Sequence, residues 1–197
     1  MDQQQQQADL YEPSPRFWHM AASVSDVSTN QQVFMRGGRT DEFHSRDGRT
    51  KLASRCQLFN LNSEVWSESW HVKGTPHPGL TVAACTSFGD SLFVYGGHYD
   101  KSGSGVSGEL SCLNIKTLTW SQLCPAGTAG GPMRKFGCGM VHVSSDKLVV
   151  IGGYGFPTGP TQPGSSFIKS TKFTDGRGWT NEIHVFDLCQ GSHRQVH

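Results

Sequence analysis

Nine histidines, six cysteines and a set of interleaved aromatic and basic residues are the groups in this 197-residue chain that could do chemistry. A metal centre needs several imidazole, thiolate or carboxylate ligands converging on one point. His71, His77 and His98 fall on separate connecting segments. His142 and His184 fall inside apolar runs that read as strands, where an isolated histidine is packed or hydrogen-bonded. No Cys-x-x-Cys, His-Glu-x-x-His or Gly-x-Ser-x-Gly motif occurs, while a Ser/His/Asp triad assembled from distant residues stays open. The glycine-rich residues 98–105 lack the Gly-x-Gly-x-x-Gly pattern and open no helical period, which excludes a phosphate cradle. The second chemistry is recognition. Tyr154, Phe156, Phe167, Lys169, Lys172, Phe173, Arg177 and Trp179 interleave aromatic and basic side chains on one long segment. That composition suits an interface hot spot. The alternative is that Trp179 simply pins the segment to its own sheet.

The elements that must position these groups repeat. Val33-Phe34-Met35-Arg36-Gly37-Gly38, Leu92-Phe93-Val94-Tyr95-Gly96-Gly97 and Leu148-Val149-Val150-Ile151-Gly152-Gly153 are apolar strands running into a glycine pair, spaced 59 and 56 residues apart. Self-similarity at a long fixed period decides an architecture before any single motif does. A further strand precedes each pair, at residues 18–24, 80–88 and 136–143. Another follows, at residues 56–61, 109–114 and 182–187. In two copies a tryptophan then leads a fourth strand, Trp66 and Trp120. Glycine at the end of strand two allows positive φ and close backbone approach. Tryptophan is large enough to fill the wedge between neighbouring sheets.

This unit resembles the kelch repeat, one blade of a β-propeller, over residues 16–188. The resemblance implies an all-β fold: a partial kelch propeller of about three four-stranded antiparallel blades. The expected boundaries are a disordered Gln-rich leader at 1–15, blades at 16–74, 75–131 and 132–188, and a polar tail at 189–197. The third blade is expected to be incomplete, because no tryptophan-led strand follows Leu188. A propeller needs about four to eight blades. Three leave open ends, so the chain reads as a fragment of a longer propeller, as half of a two-chain ring, or as an arc that survives poorly. The first is favoured.

In an antiparallel blade the residues before strand one and after the glycine pair share one face of the disc. That places Arg134, Lys135, Tyr154, Phe156, Trp179, His98, Tyr99, Arg16 and Arg39 on one basic and aromatic rim. Such a rim suits acidic or carboxylate-bearing peptide segments. Within blade three, Lys135-Phe136-Gly137, Ile151-Gly152-Gly153-Tyr154-Gly155-Phe156-Pro157 and the stretch Gly176-Arg177-Gly178-Trp179-Thr180-Asn181-Glu182 look like the kelch-domain substrate receptors of cullin-RING ubiquitin ligases that recognise C-terminal degrons. That resemblance implies contact roles for Lys135, Tyr154 or Phe156, and Trp179. Kelch propellers also include a copper oxidase, which would need imidazole and tyrosine ligands on one site. A purely structural scaffold is the remaining alternative.

Composition bounds the rest. Net charge is +1 and charged residues are 17 %, so no strong field draws nucleic acid or an anionic membrane. No run of 18 apolar residues and no secretory signal pattern occurs, which gives an intracellular, cytoplasmic expectation with the nucleus as alternative. Cys56, Cys85, Cys112 and Cys138 fall in strands and read as reduced core thiols. The expectation is a non-enzymatic module without a cofactor that binds a protein or peptide partner and has ends able to self-associate.

Overall fold

The computed structural model describes residues 15–25, 31–40, 51–52, 56–69, 72–79, 81–99, 105–125, 132–156, 167–171, 176–189 and 191–196. The expected leader, apart from its last residue, and the charged segment after Thr40 lie outside them. Strands are numbered in chain order. The first sheet holds β1 (Phe17–Ser25), β2 (Gln31–Thr40), β4 (Cys56–Asn60) and β5 (Val65–Ser69) in that order, with the short β3 (Lys51–Leu52) also on β2. The second holds β6 (Ala84–Phe88), β7 (Ser91–Tyr95), β8 (Leu110–Asn114) and β9 (Thr119–Cys124). The last third of the chain interleaves two sheets. A small one pairs β10 (Lys135–Phe136), β13 (Tyr154–Gly155), β15 (Gly178–Thr180) and β14 (Phe167–Lys169). The larger one orders β11 (Gly139–Ser144), β12 (Lys147–Ile151), β16 (Ile183–Asp187) and β17 (Ser192–Val196). Every ladder is antiparallel, and the three large sheets are blades of a partial propeller.

Two features differ from expectation. The third blade has a fourth strand: β17 pairs with β16 from Asp187↔Ser192 to Ile183↔Val196, within the segment read as a polar tail. An edge strand is held by main-chain hydrogen bonds on one side, so tryptophan is not required for pairing. The long segment after the third glycine pair is also not all loop. Parts of it form β13, β14 and β15, a small sheet that carries Trp179 beside Tyr154.

The blades fan from their first strands. β1 packs on β6 and β6 on β11. The Cys85 thiol donates to Ala21 O at 3.2 Å and the Ser87 hydroxyl donates to Ser23 O. Val82 N–H donates to Trp18 O, and Gly137 N–H to Val82 O, each at 3.0 Å. Trp18, Val82 and Gly137 occupy equivalent places, and all have positive φ, at 59°, 55° and 61°. Only glycine takes that conformation freely, so the first two are held by the inter-blade bonds. Opposite them the second glycine of each pair is also left-handed, as at Gly97 (φ 88°). A Cβ on Gly97 would stand 2.8 Å from Thr81 O, which explains why this crossing needs glycine.

Alternating side chains fill two wedges. Leu92, Val94, Leu113 and Trp120 of blade two meet Met20, Val24, Phe34 and Cys56 of blade one. From the other face of blade two, Phe93, Tyr95 and Leu110 meet Met140, Leu148, Val150 and Phe186 of blade three. Trp120 is 3 % exposed and fills the first wedge, as its size leads one to expect. Trp66 is its register equivalent in blade one, faces away from blade two, and is only half-buried against Phe59.

Candidate functional site: an aromatic run across the second wedge

The glycine pairs re-pair the hairpins beyond their tips, and this is what builds the rim. Phe17↔Arg39, Thr81↔His98 and Phe136↔Tyr154 are equivalent pairs, each two residues past the first glycine. In blades two and three these positions join into a run of rings. His98 lies 4.0 Å from Phe136, Phe136 5.4 Å from Tyr154, and Tyr154 4.8 Å from Trp179, centroid to centroid. The last two contacts are edge-to-face, which is the favourable arrangement of ring quadrupoles. The inner rings are covered: His98 and Tyr154 are buried. The outermost, Trp179, is 59 % exposed. Beside it the Arg177 guanidinium lies 5.5 Å over the Phe156 ring. Such a cation–π contact orders both partners at the surface.

Close backbone packing fixes this rim. Phe156 N–H donates to Arg134 O at 3.0 Å, and Thr180 N–H to Gly153 O at 3.0 Å. A Cβ on Gly155 would strike Arg134 O, and one on Gly178 would strike Ile168 O. The aromatic residues are therefore presented by a sheet with no spare room between its strands.

The expected rim residues separate into groups. Trp179 and Tyr99 are exposed, at 59 % and 48 %. Arg134 is exposed and Phe156 half-exposed. Arg39 belongs to blade one, where its guanidinium lies 5.3 Å over the Trp18 ring. Lys135 differs from expectation: it has no exposed surface, and its Nζ donates to Glu182 Oε2 at 3.1 Å. Blade three closes over it, so its ammonium is a structural cation under the rim rather than a surface one. Tyr154 is likewise a support for Trp179 more than a surface ring.

Two glutamates were not singled out from the sequence, although both precede the third strand of a blade. The backbone carbonyl of Glu109 accepts from Gly96 N–H at 3.2 Å, and that of Glu182 from Gly152 N–H at 2.9 Å. Their carboxylates then serve the wedge. Glu182 Oε1 lies 3.1 Å from His184 Nε2 while Oε2 takes Lys135. Burial alone would push the Glu182 carboxyl up, but the His184 contact and the Lys135 charge outweigh it and hold it below its ordinary range. Glu109 accepts from the Ser111 hydroxyl at 2.6 Å, and Ser111 Oγ is 3.1 Å from His77 Nδ1. The other ring nitrogen of His77 donates to Gly96 O at 2.9 Å. Burial lowers the His77 pKa to about 4. The repeated signal, glutamate just ahead of strand three, was visible at 109 and 182.

Serine, histidine and carboxylate do meet at residues 109, 111 and 77, but Ser111 and His77 have no exposed surface. Nε2 carries the ring proton to Gly96 O, which leaves Nδ1 as the basic nitrogen beside Ser111, but the Ser111 hydroxyl donates to Glu109. None of the six cysteines is in a disulfide. Burial pushes the Cys85 and Cys138 thiols up to about 11, so neither is a nucleophile at neutral pH. Among the described residues no three histidine, cysteine or acidic side chains gather as a metal site would require.

Comparison with known proteins agrees with this architecture. The chain matches the KLHDC2/KLHL20/DRC7 Kelch-repeats domain over residues 2–197. It is 22 % identical over 185 residues to Kelch domain-containing protein 2 of Bos taurus, covering 91 % of this chain and 43 % of that protein. It is 24 % identical over 175 residues to Kelch domain-containing protein 3 of Bos taurus, covering 89 % of this chain and 38 % of that protein. A solved structure described as "Structure of YjhT" superposes with a TM-score of 0.60 at 14 % identity, over 93 % of this chain and 52 % of that one. The chain thus spans less than half the length of these curated relatives. Kelch repeats are consistent with a protein-interaction module, and this chain belongs to the KLHDC2/KLHL20/DRC7 kelch-repeat family.

Proposed function

We propose that the protein is a non-enzymatic recognition module that captures a peptide or protein segment on the rim of blades two and three. The observation that supports this most directly is the ring sequence His98–Phe136–Tyr154–Trp179, supported from below and ending in an exposed indole. A rigid aromatic anchor loses little conformational entropy on binding and buries a large area. Arg134 and Arg177 at its flanks favour an acidic segment or a free C-terminal carboxylate, since guanidinium groups pair with carboxylates in a planar, bidentate fashion. On this reading the module works in the cytoplasm or nucleus, and the captured segment is presented to a ubiquitin ligase. That last step rests on kinship with the family.

The test uses a panel of fluorescent peptides in matched pairs, each with a free C-terminus or a C-terminal amide. Binding by anisotropy should favour the free or acidic member of a pair. Trp179→Ala should weaken it at least 10-fold while leaving the melting temperature nearly unchanged, because the indole is mostly in solvent. Equal binding by the Trp179→Ala variant would remove this site from consideration.

A further inference from the structure

The small sheet of blade three uses its two edges differently. At one edge β10 is tied to blade two: Lys135 N–H donates to Ser107 O at 3.2 Å, and Lys135 O accepts from Gly97 N–H at 2.9 Å. At the other edge β14 pairs with β15 and, among the described residues, with no strand beyond it. The bonding of this last ladder follows from its neighbours. Ser170 N–H donates to Arg177 O at 2.9 Å, and Thr180 N–H turns the other way, to Gly153 O on the side of β13. Bond direction alternates along an antiparallel ladder, so Ile168 and Trp179 are the pair that exchanges bonds. The N–H and C=O groups of Phe167 and Lys169 then point away from β15. They form an open row of donors and acceptors beside the exposed indole.

The side chains say what kind of strand fits this edge. Tyr154, Trp179 and Ile168 stand in register on one face of β13, β15 and β14. Tyr154 is buried, while Trp179 and Ile168 are 59 % and 68 % exposed, so the apolar strip opens toward the free edge. An apolar side chain on an added strand would continue the strip beyond Ile168. On the other face the Phe167 ring covers Gly178, where a Cβ would stand 2.7 Å from Phe167 Cζ. That contact and the Ser170–Arg177 bond seat β14 firmly on β15. Lys169, on the same face as Phe167, is exposed. The four strands of this sheet carry Lys135 and Lys169 and no carboxylate. A cationic edge repels a basic strand and attracts an acidic one.

We propose that the captured segment binds as an extended strand added to β14, with an apolar side chain opposite Ile168 and an acidic one next to it, opposite Lys169. This rests on the reading of the Trp179 rim as the capture site and adds how the segment lies on it. Main-chain bonds to Phe167 and Lys169 hold the strand, and its alternate side chains are selected by the apolar strip and by the lysine. The preferred sequence therefore alternates apolar and acidic residues.

The experiment uses the purified 197-residue chain and a fluorescein-labelled peptide of alternating valine and glutamate, with copies that carry one N-methyl group at each amide in turn. Anisotropy should show binding that falls by about 10-fold at every second N-methylated amide and changes little at those between. Lys169→Glu should weaken this peptide by a similar factor and strengthen one of alternating valine and lysine. The Lys169 side chain is exposed, and circular dichroism checks that the strand content is kept. Binding that Trp179→Ala abolishes, but that N-methylation affects evenly or not at all, overturns the added strand and leaves the rim as capture site. Failure of this peptide to bind, while members of the matched pairs bind at Trp179, does the same. Alternating sensitivity that Lys169→Glu leaves unchanged also overturns the proposal, since the strand would then lie on another edge. Absence of binding by every peptide, the matched pairs included, overturns the rim reading and this inference with it.

Discussion

The two wedges between blades occupy the same place in the repeat and are closed by different chemistry. Between blades one and two the core is capped by a tryptophan, with the Arg36 guanidinium 5.3 Å over its ring and a neutral histidine held between Ser111 and Gly96. Between blades two and three the cap is a buried ion pair, Lys135–Glu182, with His184 on the second carboxylate oxygen. In both, a glutamate ahead of strand three binds the first glycine of the pair through its carbonyl and the wedge through its carboxylate. The backbone device is constant and the buried side chains vary. The second wedge is the one whose cap supports the aromatic run, so its charge pair underlies the proposed binding surface.

The largest effect expected is at Trp120. Trp120→Ala removes a nearly fully buried side chain from the first wedge and should cost about 3–5 kcal/mol of stability, measured by urea unfolding. Trp66→Ala at the equivalent position should cost much less in the single arc, where that ring is half-buried. Equal losses at the two positions would mean that the wedge between blades one and two is not what Trp120 stabilises.

How the fold was legible follows from the same residues. The glycine pairs located strand two of each blade, because a left-handed crossing leaves a sequence trace that side-chain preference alone does not. Trp120 was placed between blades on size alone, and the structure has it there. Lys135 reads as a surface cation because it adjoins a loop, and its partner Glu182 lies 47 residues further on. No local pattern shows such a pairing. The strands β13, β14 and β15 are two or three residues each, too short for any period to appear. β17 lacks the tryptophan that marks its counterpart, yet main-chain pairing made it a strand.

A smaller effect than at Trp120 is expected from the ion pair. Lys135→Met leaves Glu182 facing the wedge without its cation and should cost about 3 kcal/mol, because removing one partner strands a desolvated charge. Lys135→Met with Glu182→Gln should recover most of that loss. The same single variant should also weaken peptide capture at Trp179, since Lys135 and the rim share the β10–β13 pairing. A double variant no more stable than the single would show that the pair is not coupled.

The smallest effect separates the wedges by pH. The folded state holds the His77 pKa at about 4, below the ordinary 6.5, so protonation favours the unfolded chain. The stabilisation is complete above about pH 6.5 and declines as pH falls toward 4. From pH 7 to pH 5 the loss attributable to this one group is about 2 kcal/mol. Glu182 has the same sign in a lower window: its folded-state pKa is also depressed, so its contribution is present above the ordinary carboxylate range and is lost as pH falls through and below that range. Unfolding free energies at pH 7 and pH 5, compared between the unaltered chain and His77→Asn, isolate the first wedge, because every other histidine is common to both. A smaller decline in the variant, by about 2 kcal/mol, identifies His77 as the acid-sensitive cap. Parallel declines would mean that the imidazole takes up its proton within the folded wedge, with Glu109, 3.9 Å from Nδ1, as the charge that receives it.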